Sequence, residues 1–157
     1  MLHLDEAGGH RGFFATIVVV SGASSATAFS IEQVYPSALR WSIAGVLDHP
    51  LTGGPVVGLV AAGGSRKLHN LRTDPRATIV VRAGWQWATV EGTAEVFGPD
   101  DPHPELDGEA LRVWLQDVFR AAGGTHDDWG TYDRTVAEER RAVALLTPVR
   151  TYTNPKS

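Results

Sequence analysis

The stretch "GGSRKLHNLRTDPRATIVV", residues 63 to 81, holds the residues best suited to chemistry: Ser65, Arg66 and Lys67 directly after a glycine pair. Ser65 suits an N-cap, which places Arg66 and Lys67 in the first turn of a helix that Pro75 ends. Partial positive charge already collects at a helix N-terminus, so two cations there are unfavourable unless an anion sits among them. Backbone N–H groups, a hydroxyl and two cations together suit a phosphate. The other reading is an ordinary solvated basic helix, and the local pattern leaves both open. Neither a P-loop nor a dinucleotide fingerprint is present, because the required glycine spacings are missing.

Other chemistry has weaker footing. His3, His10, His49, His69, His103 and His126 are scattered without ligand spacing, and the chain contains no cysteine. Thiolate metal sites, disulfides and cysteine nucleophiles are therefore excluded. "HDD" (126–128) reads as a helix start rather than a metal site, so no metal is expected. Glu138 and Glu139 beside Arg140 and Arg141 read as a salt-bridged helix end, and no Gly-x-Ser-x-Gly elbow occurs. No catalytic side chain can be named. Trp85 and Trp87 share one strand face, as packing or interface residues do, while Gln86 points the other way.

These groups belong to a chain of 157 residues, 43% of them hydrophobic, which suits a single domain with one core. A formal charge of -4 lacks the basic excess of a nucleic-acid-binding protein. No apolar run approaches the roughly 18 residues of a membrane span. "FFATIVVV" followed by "ASSATA" resembles a signal peptide, but Asp5 and Glu6 stand where a basic segment is expected. The expectation is a cytoplasmic protein with neither membrane nor nucleic-acid partners.

The elements that must position the site follow from patterning. Residues 1–12 read as a loose arm or a short capping helix, 13–20 as a buried strand and 21–37 as a loop or extended excursion. Strands are expected over 38–47, 56–63, 76–82, 85–97 and 142–154. In the strand over 85–97 the even-numbered residues form the core face. Apolar periodicity predicts a helix through Leu111, Leu115, Val118 and Ala122 that stops at Gly123. Thr125 with Asp128 resembles a capping box that opens another helix. Helices that do not alternate with strands point to a mainly β domain with appended helices, an antiparallel barrel rather than a doubly wound sheet.

"GSRKLHNLRTDPRATIVV" followed by "WQWATVEGTAEV" resembles the split β-barrel proteins of the pyridoxamine 5′-phosphate oxidase-like superfamily. Its actinobacterial branch of FMN- or coenzyme F420-dependent oxidoreductases is the nearer likeness, and the resemblance covers roughly residues 40 to 154. It implies a homodimer with two cofactor sites at the subunit interface, F420 as the cofactor with FMN as the alternative, and hydride transfer to a small organic substrate. Arg66 and Lys67 would then hold the cofactor phosphate, assisted by Ser65. The small-residue strand with Val57, Gly58, Ala61, Ala62 and Gly63 would lie along the ring. Asn70 and Arg72 would support the helix and the cofactor tail, with Arg76 a further partner for the acidic tail of F420, while Trp85 and Gln86 would reach the neighbouring subunit's site.

Two departures stand out. Residues 21–37 form an insertion or diverged hairpin relative to that family, and the Arg-x-Ser-x-Arg-like C-terminal segment of true pyridoxamine phosphate oxidases is missing. Vitamin B6 oxidation is accordingly not expected. The competing function is a carrier that binds a flavin, deazaflavin or haem-type ligand without turnover.

Overall fold

The computed structural model describes residues 44–83 and 86–154. The readings of 1–12, 13–20 and 21–37, the early part of the 38–47 strand, and Trp85 lie outside the described residues. Among the described residues five strands run in the order β1 (Ala44–Asp48), β2 (Pro55–Ala61), β3 (Arg76–Ala83), β4 (Gln86–Phe97) and β5 (Ala142–Thr153). Three helices join them: α1 (Arg66–Thr73), α2 (Gly108–Ala121) and α3 (Trp129–Glu138).

All pairings are antiparallel, in the spatial order β1-β2-β5-β4-β3. The expected mainly β architecture with appended helices is what forms. Among the described residues the sheet is open, with β1 and β3 at its edges.

Strand alternation divides the core between the two faces of the sheet. On one face Leu68 and Leu71 of α1 pack against Val57, Leu59, Ile79, Ala94 and Leu146. On the other, Trp114, Leu115 and Val118 of α2 and Tyr132 and Val136 of α3 cover Val56, Phe97, Val143 and Leu145. Even-numbered Ala88 and Ala94 in β4 are buried, and Val90 and Val96 pack against the α1-side core, as the alternation predicts. The alternation survives because the register shift falls on β5. Glu91 pairs with Arg150 and Gly92 with Pro148, so Val149 is the extra residue. Proline is tolerated at such a bulge.

Local chemistry fixes the connections. Between β1 and β2 the buried His49 uses Nδ1 to accept the N–H groups of Leu51 (3.1 Å) and Thr52 (3.3 Å). Its ring proton therefore sits on Nε2, which lies 3.4 Å from Glu95 Oε1. Gly53 completes that turn at φ 79°, a left-handed conformation that glycine adopts without steric cost. Helix α2 starts earlier than the apolar periodicity alone suggests, because the Asp107 carboxylate accepts the Ala110 N–H at 2.8 Å and caps Gly108 onward. It ends where expected, with Gly123 at φ 85°.

The capping assignment for α3 needs correction. Asp128, not Thr125, is the N-cap, accepting the Thr131 N–H (3.1 Å) and hydroxyl (2.7 Å). These bonds, the hydroxyl's first, hold its pKa below the ordinary aspartate value. Glu109 beside Arg112 and Asp100 beside Arg140 are lowered in the same way.

A carboxylate with a depressed folded-state pKa contributes stability above its unfolded pKa and loses it as the pH falls through the folded one. Stability should accordingly stay level from about pH 7 to about pH 5 and fall below about pH 4. Thermal melts across that range check this. Asp128→Asn, which keeps an acceptor at the cap, should show a shallower acid loss, and an unaltered pH dependence would contradict the assignment.

Candidate functional site

The turn between β2 and α1 is built by contacts at both ends. The Ser65 N–H donates to the Ala62 carbonyl at 3.0 Å, and the Gly63 N–H donates to the Glu139 carbonyl at 3.1 Å. A Cβ on Gly63 would lie 2.5 Å from the Arg140 carbonyl oxygen, so the loop between α3 and β5 fills the space a side chain would take. Arg140 itself has φ 49°. Gly64, by contrast, faces open space.

Ser65 caps α1 as expected, its Oγ accepting the Leu68 N–H at 3.4 Å. The first turn contains no acidic residue. Arg66 is exposed and Lys67 half-buried, while Leu68 and Leu71 anchor the underside of the helix in the core. At the far end the Asn70 carbonyl accepts the Asp74 N–H at 2.8 Å. Arg72 then forms a two-pronged pair with Asp101 at 2.8 and 2.7 Å. Arg76 pairs likewise with Asp74 at 3.0 and 2.7 Å. The hydrogen bonds to Asp101 and Asp74 raise the two guanidinium pKa values, and Arg76 holds that of Asp74 below its ordinary value.

The residues singled out from the sequence therefore separate into groups. Ser65, Arg66 and Lys67 come together with Gly64 at the start of α1. Val57 and Ala61 are buried on the α1 side of the sheet. Gly58 faces the opposite way, where a Cβ would meet Leu47, Val118 and Leu145 at 2.9 to 3.2 Å. Leu47, Val118 and Leu145 thus account for the small residue at 58, as Arg140 does at 63. Ala62 is exposed, and Asn70 contributes its carbonyl to the end of α1. Trp85 and the side chain of Gln86 lie outside the described residues.

No protein-family model matches the chain. Among solved structures, the conserved hypothetical protein Rv2991 from Mycobacterium tuberculosis is similar at 18% identity and TM-score 0.46, over 83% of this chain and 91% of that one. Atu2129 from Agrobacterium tumefaciens, of unknown function, is similar at 16% identity and TM-score 0.42, over 72% of this chain and half (50%) of that one. A structure described as an F420 reductase is similar at 13% identity and TM-score 0.43, over 69% of this chain and 86% of that one. Likenesses of this size carry no argument about activity.

Those residues present donors only: two cations, the first-turn N–H groups that no helical carbonyl can reach, and open backbone at Gly64. Such a set fits a phosphate and repels a metal cation. Among the described residues no three His, Asp or Glu side chains are grouped to hold a metal, and no helix is long and apolar enough to cross a membrane. Sequence reasoning missed Asp101, Glu139 and Arg140, which hold the α1 segment in place. Asp101 lies 29 positions from Arg72, so no local pattern announces the pair.

Proposed function

We propose that the chain is a flavin- or deazaflavin-dependent oxidoreductase that grips the cofactor phosphate at the start of α1. The observation that carries this reading is the pairing of Arg66 and Lys67 in a first turn without acidic residues, capped by Ser65 beside the open Gly64. The sequence resemblance to the split-barrel oxidoreductases supports it. F420 or FMN, when bound, supplies the hydride chemistry. The chain binds and orients: Arg66 and Lys67 neutralise the phosphate, while Leu68 and Leu71 keep the helix start fixed against the sheet.

Because Val57 and Ala61 are packed within the chain's own core, they act as the floor beneath α1 rather than as the surface along the ring. In this reading the sheet belongs to a split barrel, and a second subunit supplies contacts through Trp85 and Gln86. Size-exclusion with mass measurement checks the homodimer.

The first turn of α1 offers no carboxylate to act as a general base. That favours a second reading, a carrier without turnover. Mixing the protein with reduced cofactor and a panel of enones, quinones and tetrapyrroles separates the two. Saturable cofactor oxidation supports the enzyme; cofactor binding with no oxidation by any acceptor supports the carrier.

A further inference from the structure

We infer that the turn after β4, through the adjacent carboxylates Asp100 and Asp101, is a clasp that makes α1 and the corner between α3 and β5 open as one unit, and that ionic strength sets how often it releases. The device belongs to the fold and does not depend on any ligand.

The turn is small and closed on itself. Its ends are joined by the Gly98–Asp101 bridge, in which the Asp101 N–H donates to the Gly98 carbonyl at 3.0 Å. It is seated on the first residue of β5, where a Cβ on Gly98 would lie 2.6 Å from that of Ala142. Two consecutive side chains then leave it for different elements. Asp101 accepts Nε and Nη2 of Arg72, in the last turn of α1, at 2.8 and 2.7 Å. Asp100 accepts Arg140 through Nη2, and through Nε at 3.2 and 3.3 Å. Both are fork pairings of a guanidinium with one carboxylate, and a planar peptide unit links the two residues that receive them.

The pairs also act on each other. The Arg140 hydrogen bond, with the charge of Arg72 behind it, holds the Asp100 carboxyl below its ordinary value. The Asp101 hydrogen bond, with the charge of Asp100 behind it, raises the Arg72 guanidinium. The four charges therefore form one group.

The corner that holds Arg140 reaches α1 a second time. The Glu139 carbonyl accepts the Gly63 N–H at 3.1 Å, and the Arg140 carbonyl fills the space beside Gly63. Both ends of the α1 segment thus lead to the same corner, the entry directly and the exit through the clasp. Neither side is self-sufficient. An eight-residue helix does not persist unsupported, and Arg140 holds φ 49°, a conformation that a residue other than glycine keeps only where its surroundings fix it. Loss of one anchor removes support from the other, which is the condition for a shared opening. Asp100 and Arg140 are 44% and 56% exposed, so dissolved ions screen the clasp, over about 10 Å at 0.1 M and about 3 Å at 1 M.

Amide hydrogen exchange of the full chain, followed by NMR, tests the inference at His69 and Asp74 in α1 and at Arg140 and Arg141 in the corner. Arg72→Gln should speed exchange at the corner by about two- to fivefold, and Asp100→Asn should do the same in α1, each acting beyond its own pair. Raising the salt from about 0.1 M to about 1 M should speed both sets together in the wild type and add little in either variant. Glu109→Gln, which breaks an exposed pair within α2, should leave both sets unchanged. The amides between β4 and β5 should keep their wild-type rates throughout. Acceleration confined to the altered pair's own segment, no acceleration at all, equal acceleration across the sheet, or wild-type rates indifferent to salt would each overturn the inference.

Discussion

Leu68→Ala is expected to lower the unfolding free energy by about 2 to 5 kcal/mol, the range for emptying a fully buried leucine site. Leu68 is 0% exposed and among the largest fully buried side chains, packed with Leu71 against the α1-side core. Its backbone N–H is also the group that the Ser65 cap accepts, so the residue joins helix start and core at one point. An eight-residue helix cannot sustain itself without that packing. Denaturant unfolding with linear extrapolation measures the loss, and His69→Ala, an exposed change on the same helix, serves as control. A Leu68→Ala loss no larger than the control's would mean that α1 is not held as described.

Removing both cations should have a large effect of a different kind. Each charge-assisted hydrogen bond is worth about 1.5 to 3 kcal/mol. Arg66→Ala with Lys67→Ala should therefore weaken FMN binding by about 100-fold or more. Unliganded stability should move little and in the opposite direction, since a cation at a helix N-terminus costs about 0.3 to 1 kcal/mol. Melting curves with and without FMN expose that contrast. FMN should raise the melting temperature of the wild type and barely move that of the double variant. Equal FMN-induced shifts in both proteins would remove the phosphate from this helix.

What could be read in the sequence was whatever local physics settles. Ser65 before an amphipathic octet marks the start of α1, and the even-numbered face of β4 follows from alternation alone. Helix α3 illustrates the margin of such reading. Thr125 and Asp128 are both good caps three residues apart, and only the hydrogen bonds from Thr131 choose Asp128.

Tertiary neighbours were not legible. Gly58 and Gly63 read as room for a ligand because nothing in their own segment fills the space. At Gly63 the space is filled by Arg140, from a loop far along the chain, and at Gly58 by Leu47, Val118 and Leu145 of three other elements. The resemblance assigns Arg72 to support of the helix and the cofactor tail, and its carboxylate partner Asp101 is supplied by a distant loop. The start of α1 was accessible from sequence, but the Arg72–Asp101 pair that anchors its far end was not.

The central claim is that the start of α1 grips a cofactor phosphate, and the preference for FMN over riboflavin, which lacks only that phosphate, tests it most directly. Titrating wild type and the Arg66→Ala/Lys67→Ala variant with both compounds should give a wild-type preference for FMN of at least about tenfold, collapsing towards parity in the variant. Equal wild-type affinity for the two compounds, or a preference that survives in the variant, would contradict the account.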